Sequence, residues 1–194
     1  MFAILHAAGW PAYLILATSV VAIALIVARA LALRASIVAP DHLLNQALKQ
    51  YQEHGTNKEM LTKLYAHSPL GQILATGLKQ AQSEREVMKE AIEESGRAVL
   101  HQLEFGLTTL GTIATIAPLL GLLGTVIGMI EIFGAQGTIG GGNPAVLAHG
   151  ISIALYNTAF GIVVAIPAMI FYRHFRNKVD GLLIDMEQQA IKLV

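Results

Sequence analysis

The stretch from residue 117 to residue 133 reads APLLGLLGTVIGMIEIF, and it decides what kind of protein this is. All but its last three residues belong to an uncharged run over residues 105–130, which is longer than the roughly 20 residues needed to cross about 30 Å of hydrocarbon. A helix surrounded by lipid needs only bulky apolar side chains, yet this stretch contains Pro118, Thr125 and three glycines. Small residues allow helices to approach closely, so the stretch predicts a transmembrane helix packed against other helices.

The composition extends this prediction to the whole chain. Of its 194 residues, 54% are hydrophobic and only 13% are charged, whereas soluble domains carry roughly 25% charged residues. Two more long apolar runs, over residues 1–28 and 144–172, are also sufficient to span, so we predict an all-α membrane protein with three transmembrane helices. The first run has a long apolar core and no basic segment before it, so we expect it to be retained rather than cleaved as a signal peptide.

The distribution of Lys and Arg predicts the orientation in the membrane. All thirteen fall on one side of a three-span arrangement, since residues 1–28 and 131–145 contain none. The positive-inside rule makes that side cytoplasmic, with the N-terminus outside and the C-terminus inside. The expected segments are a first transmembrane helix at 1–34, a cytoplasmic helical region at 35–104, a second transmembrane helix at 105–133, an outer connector at 134–143, a third transmembrane helix at 144–172 and a cytoplasmic C-terminal helix at 173–194.

Two helix starts can be placed in the cytoplasmic region. Ser68 and Pro69 suit an N-cap and a first-turn position, and Ser83 with Glu86 has the spacing of a capping box. A region of about 70 residues is too small to build a large core of its own. We therefore expect a helical layer there rather than a separate enzymatic domain.

The second and third spans are expected to extend into long cytoplasmic helices. Gly106 is the only breaker between the helix that starts near Glu84 and the second span, so we expect one continuous helix to about Phe133. Asn143 and Pro144 can cap the start of the third span. An amphipathic pattern follows that span and predicts a helical tail.

No motif predicts catalysis or metal binding. The seven His residues have no zinc-type spacing, and Gly140, Gly141 and Gly142 lack the following Lys-Ser or Lys-Thr of a phosphate loop. These glycines fit a flexible outer connector instead. The chain has no cysteine, which excludes disulfides, and no basic surface for nucleic acid. We predict a non-enzymatic protein with no catalytic residue, metal or cofactor.

Polar side chains inside the second and third spans are the candidates for function. They include Thr115, Thr125, Ser152, Asn157 and Thr158. A single membrane threonine often bonds a carbonyl of its own preceding turn and has no further role, and that interpretation stays open for each threonine. Asn157 differs, because an amide at mid-span has no partner in lipid and is expected to face a helix or a water-filled cavity.

Small residues and prolines in the same spans predict how the helices pack. Gly124 and Gly128 form a Gly-x-x-x-Gly pair, which lets two helices approach closely. Each proline frees a carbonyl group, so we expect the helices to bend there. The residues assigned to packing are Gly121, Gly124, Gly128, Pro118, Gly161 and Pro167.

The second and third spans contain no Asp, Glu, Lys or Arg deep in the membrane. Glu131 lies at the outer end of the second span, and Arg29 lies near the inner end of the first, from which it can reach the interface. A proton relay usually needs a titratable group within the membrane. If the chain conducts protons, the titrating side chain must therefore come from another chain, and this chain would supply a lining of hydroxyls and amides.

The same residues carry a resemblance to a known family. The stretch 117–133, followed by HGISIALYNTAFGIVVAIPAMIFYRHF at 149–175, resembles the MotA/TolQ/ExbB proton-channel family, and most closely its ExbB and TolQ branch. The resemblance implies a homo-pentamer in the bacterial inner membrane, with a periplasmic N-terminus, around single-span partners of the ExbD or TolR type. It also implies that Thr125 and Thr158 face a membrane aspartate of that partner, in an ion pathway that Asn157, Ser152 and Thr115 help to line.

One departure from the family pattern keeps several functions open. Many ExbB and TolQ sequences have Glu where this chain has Ile153. We expect an ExbB-like subunit of a proton-driven motor that acts on a TonB-type protein, with a TolQ-like or motility stator subunit as the alternative. A passive membrane scaffold or an independent channel is a further alternative. Threonine hydroxyls suit either protons or Na⁺, so the ion is not fixed by these residues.

Overall fold

The computed structural model describes residues 8–137 and 144–193, and within these ranges the regular elements are helices. Three of the helices are long and apolar enough to cross a membrane, which confirms the predicted all-α architecture with three spans. The predicted connector glycines Gly140–Gly142 and the predicted cap at Asn143 lie outside the described residues. The helices are α1 (Trp10–Ala32), α2 (Ala35–Val38), α3 (Leu43–His54), α4 (Lys58–His67), α5 (Pro69–Lys79), α6 (Arg85–Leu103), α7 (Leu107–Gly137) and α8 (Pro144–Ile191).

The chain divides into two compact units. Unit 1 comprises Met1–Val27 and Gly106–Arg173, and unit 2 comprises Ala28–Phe105 and His174–Val194. Unit 1 contains most of α1, all of α7 and the first part of α8. Its interior combines large side chains such as Ile15 and Leu110 with small ones such as Ala117, Ala165 and Ala168, all of them fully or almost fully buried. Small interior residues are typical of helices that pack closely in a membrane.

Unit 2 is organised around α5, whose side chains Leu70, Ile73 and Leu74 have no exposed surface. This helix packs against α4 and α6. Its start confirms the predicted cap, because Ser68 Oγ accepts a hydrogen bond of 3.1 Å from the Gly71 N–H and Pro69 occupies the first turn. The apolar face of α5 thus supplies much of the core of this unit.

The predicted capping box at the next helix is wrong. Helix α6 begins at Arg85, and its N-cap residue is Glu84, which makes no capping hydrogen bond through its side chain. Ser83 instead donates a hydrogen bond of 2.9 Å to the side chain of Gln80. The chain still turns at Ser83, so the hydroxyl is used within the turn rather than at the helix start.

The predicted continuous helix from Glu84 to Phe133 is also wrong. Helix α6 ends at Leu103 and α7 begins at Leu107, and Gly106 between them has a φ of 77°. This left-handed conformation is open to glycine but costly for other residues, and it interrupts the helical run. By contrast, α8 is one helix from Pro144 to Ile191, as expected for the third span and its tail. Helices α7 and α8 both continue through their prolines, and the bends expected there stay a prediction.

Candidate functional site

Gly121 and Gly124 of α7 lie directly against Asn157 and Thr158 of α8 in unit 1. A Cβ atom added at Gly121 would lie 2.7 Å from the carbonyl oxygen of Asn157 and 2.9 Å from the Cα of Thr158. A Cβ atom at Gly124 would lie 2.6 Å from the Cβ of Asn157. Real Cβ atoms essentially never approach other atoms below 3.0 Å, so only glycine fits at these two positions.

The contact continues on both sides of these two glycines. A Cβ atom at Gly161 of α8 would lie 2.5 Å from the carbonyl oxygen of Ala117, and one at Gly128 would lie 3.1 Å from the Cβ of Ala154. Four small residues over two helices therefore form a glycine seam, defined here as Gly121, Gly124, Gly128 and Gly161. The seam brings the polar pair Asn157 and Thr158 into contact with α7.

Asn157 is buried, with 1% of its surface exposed. Its side-chain Nδ2 donates a hydrogen bond of 2.9 Å to the carbonyl of Ala8, just before α1. Its Oδ1 is buried and has no hydrogen-bond partner among residues 8–137 and 144–193. Local sequence patterns gave no sign of the bond to Ala8, because the two residues are 149 positions apart.

Three of the four hydroxyl groups of the predicted pathway donate to carbonyls of their own helices. Thr125 Oγ1 donates to the Leu122 carbonyl at 2.7 Å. Thr115 Oγ1 donates to Thr112 at 2.9 Å, and Ser152 Oγ donates to Ala148 at 2.9 Å. Each hydroxyl oxygen keeps lone pairs that can accept another hydrogen bond. These local bonds therefore use the hydroxyl hydrogens, and the lone pairs of each hydroxyl oxygen can still accept a hydrogen bond from a partner.

Thr125 occupies a different kind of surface from Asn157. It lines an open apolar groove on α7, together with Val126, Met129, Ile130 and Phe133. Most of these side chains are exposed in the single chain, with Ile130 at 65%. Thr125 is the member of this groove that carries a hydroxyl group. A groove of this composition is suited to receive another apolar helix that carries a polar group at the level of Thr125.

Thr125 and Thr158 lie at neighbouring levels of the seam. Thr158 faces Gly121 through its Cα, and Thr125 is one helical turn further along α7, or about 6 Å at 1.5 Å per residue. Thr115 and Ser152 lie further away in sequence on their helices, toward opposite ends of the spans. Among the described residues, no group of three His, Cys, Asp or Glu side chains could hold a metal ion.

Comparison with known proteins places this arrangement in a family. The sequence pattern of the MotA/TolQ/ExbB proton channel family matches residues 65–188, which include α5, α6, α7 and most of α8. The matched region therefore contains the glycine seam, Thr125, Asn157 and Thr158.

Individual relatives are named for biopolymer transport. An ExbB homologue of Methanothermobacter thermautotrophicus is 33% identical over 135 residues, which cover 69% of this chain and 48% of the relative. Biopolymer transport protein exbB1 of Vibrio cholerae is 49% identical over 70 residues, which cover 36% of this chain and 31% of the relative. The chain thus matches less than half the length of these two proteins.

A third relative is matched over most of its length. It is a biopolymer transport protein of Synechocystis sp. named ExbB-like 3, which is 32% identical over 173 residues, or 88% of this chain and 82% of the relative. The family is one of channel subunits rather than of enzymes. With its three apolar helices, the chain is a multi-pass membrane protein that belongs to the MotA/TolQ/ExbB proton channel family.

Proposed function

We propose that the chain is an ExbB-like subunit of a motor driven by the proton-motive force in the bacterial inner membrane. Its N-terminus lies in the periplasm and its C-terminus in the cytoplasm, in agreement with the one-sided distribution of Lys and Arg. Five copies surround an ExbD-type single-span protein that carries a membrane aspartate. Together they energise a TonB-type protein and thereby outer-membrane transport.

The position of Thr125 is the observation that supports this proposal most directly. Thr125 places a hydroxyl group in an otherwise apolar groove, on a helix whose only carboxylate, Glu131, lies near its end. A proton relay usually needs a titratable group within the membrane, and α7 has none at that depth. A partner helix with a carboxylic acid would supply the missing group and would cover the groove.

The hydrogen bond of Thr125 suggests how it would treat the two states of that carboxylic acid. While Oγ1 donates to the Leu122 carbonyl, its lone pairs can accept a hydrogen bond from the protonated acid. To stabilise the ionised carboxylate, the hydroxyl must rotate and donate to it instead. Thr158 lies about one helical turn from the level of Thr125 and has a second hydroxyl group. Hydrogen bonds to charged groups contribute about 1.5–3 kcal/mol each, which is comparable to the roughly 2.3 kcal/mol available per proton per 100 mV.

Native mass spectrometry tests the proposed assembly. The chain is purified from membranes alone and after co-expression with an ExbD-type protein of the same organism. We expect a ring of five copies that captures the partner chains, because the partner supplies the titrating group. A matched preparation uses the partner with its membrane Asp replaced by Asn, which keeps the shape of the side chain and should still be captured. A chain that forms no ring, or that never retains the partner, would contradict the proposal.

The other branches of the family are the alternative functions, and each would use the glycine seam and Thr125 of this chain in the same way. A TolQ-like subunit for envelope maintenance, or a motility stator, differs in the protein on which it acts rather than in Thr125. Co-purification with a TolR-type partner in place of an ExbD-type partner would assign the chain to that branch. Proton conduction without any partner would indicate an independent channel, and normal transport after loss of both hydroxyls would indicate a scaffold.

A further inference from the structure

Unit 1 contains a second cavity, separate from the groove of Thr125. Its volume is about 160 Å³, and it is lined by the start of α1, by α7 and by α8. Asn157, Gly124, Gly128, Ile153 and Glu131 are among the residues that line it. The cavity is therefore internal to one copy of the chain and does not need a neighbouring copy to exist.

The orientation of the Asn157 amide in this cavity is fixed by chemistry. The carbonyl of Ala8 can only accept a hydrogen bond, so the amide atom that faces it at 2.9 Å must be the Nδ2 donor. This leaves Oδ1 on the other side of the amide, buried and without a partner in the described chain. A buried carbonyl oxygen without a hydrogen bond costs about 1–3 kcal/mol, so a donor is expected beside it.

The cavity extends along α7 from Asn157 to a carboxylate. Gly124 contacts Asn157, and Glu131 lies seven residues, or about 10 Å at 1.5 Å per residue, further along the same helix. The Glu131 side chain lines the cavity and is also exposed at the surface of the protein. The carboxylate thus lies at the mouth, and the amide oxygen lies at the depth of the glycine seam.

We propose that this cavity is a hydrated side chamber in which a short chain of waters joins the Glu131 carboxylate to Oδ1 of Asn157. Both of these groups are hydrogen-bond acceptors, so the ligand must donate, as water does and an anion does not. A volume of about 160 Å³ corresponds to about five waters at roughly 30 Å³ each. Such a chain is longer than the roughly 10 Å that separate Gly124 from Glu131 along α7.

The chamber has a consequence for the ion pathway, and this part rests on the proposed function. The chamber opens beside Glu131 and reaches Asn157, which is adjacent to Thr158. Water in the chamber would therefore come within one residue of Thr158 in the proposed ion pathway. Each copy of the chain would then have its own supply of water for protonating the partner's carboxylate. Glu131 would attract protons and other cations to the entrance by its charge.

Cysteine labelling tests the chamber without any assay of transport. The natural chain has no cysteine, so a single introduced thiol is the only target of a methanethiosulfonate reagent, which reacts with the thiolate in water. Ile153→Cys and Ile127→Cys place a thiol in the cavity from α8 and from α7 respectively. Leu16→Cys, at a position of α1 that is 48% exposed on the apolar surface, serves as the lipid-facing control.

In open membrane fragments, we expect both cavity thiols to react with 2-aminoethyl methanethiosulfonate at least tenfold faster than the Leu16→Cys control. Two positions on different helices are used so that a folding defect in one variant does not decide the result. If neither cavity thiol reacts faster than the control, the cavity is dry and the proposal is overturned.

A second variant tests the place of Glu131 at the mouth. Glu131→Gln removes the charge and keeps the size of the side chain. At the Ile153→Cys position, which lines the same cavity as Glu131, we expect it to lower the reaction rate of the cationic reagent relative to neutral methyl methanethiosulfonate by about two- to tenfold, as expected for removing one nearby charge. An unchanged ratio would remove Glu131 from the chamber. Neither labelling result depends on a partner, so the chamber and the motor proposal can fail separately.

Discussion

Asn157 has three structural roles that could not be predicted from its residue type alone. It packs against Gly124, it donates to the carbonyl of Ala8, and its Oδ1 lines a cavity without a hydrogen-bond partner in the described part of the chain. The sequence predicted only that this amide would face a helix or a water-filled cavity. Which carbonyl it would bond depends on the contact between the start of α1 and α8, and no local pattern reports a contact between residues so far apart.

Two substitutions at Asn157 should differ in stability. Asn157→Asp replaces the donor that faces Ala8 by an acceptor and buries a carboxyl group, so it should destabilise the protein by more than about 3 kcal/mol. Asn157→Leu leaves the Ala8 carbonyl unpaired but buries no carboxyl group, so a smaller loss is expected. Melting temperatures of the two purified variants measure the difference. A more stable Asp variant would contradict the assigned hydrogen bond.

The glycine seam leads to a prediction with an internal control. Gly124→Ala would place a methyl group 2.6 Å from the Cβ of Asn157, so it should force the helices apart and cost about 1–3 kcal/mol by overpacking. Gly134→Ala, on the same helix, meets no atom within 4 Å and should be neutral or slightly stabilising. Thermal unfolding in detergent compares them. Equal melting temperatures would show that α7 and α8 do not approach as closely as described.

At the level of the helices, the sequence predicted the three spans but not where every helix stops. An isolated glycine inside a helical pattern is often tolerated, so Gly106 did not by itself indicate a break. The structure ends α6 at Leu103 and uses Gly106 at a φ of 77°. Capping signals were similarly ambiguous. Ser68 caps α5 as predicted, whereas Ser83 has the same type of signal but bonds within the preceding turn.

The break between α6 and α7 predicts opposite effects on stability for Ala substitutions at Gly106 in unit 1 and Gly181 in unit 2. Gly106→Ala forces a side chain into the left-handed conformation and should destabilise the protein by about 1–2 kcal/mol. Gly181→Ala lies within α8, where an added Cβ meets no atom within 4 Å, and should stabilise it by about 0.5–1 kcal/mol. Chemical denaturation of both variants reports the sign. A stabilising Gly106→Ala would mean that α6 and α7 form one helix after all.

For the whole molecule, composition and apolar run lengths were sufficient to predict a three-span membrane protein, and the motifs around Thr125 and Thr158 pointed to its family. The family is shown by the match over residues 65–188. The proposed ring, the proposed partner and the proposed orientation concern how this chain contacts other chains and the lipid bilayer. They depend on surfaces such as the groove of Thr125, which a second chain would cover, and they stay proposals.

The central claim is that Thr125 and Thr158 serve the proton-carrying group of a partner, and proton flux tests it most directly. Flux is measured in liposomes that contain the chain with its ExbD-type partner under an imposed membrane potential. Thr125→Val and Thr158→Val should each lower the flux by about 10- to 100-fold, as expected from losing a hydrogen bond to a charged group, while the complex keeps its size.

Thr125→Ser and Thr158→Ser keep the hydroxyl group and should retain most of the flux. This contrast separates the loss of the hydroxyl from a general effect of substitution at the seam. Normal flux through an intact complex that carries both valine substitutions would contradict the account, because the hydroxyl groups would then have no part in moving the proton.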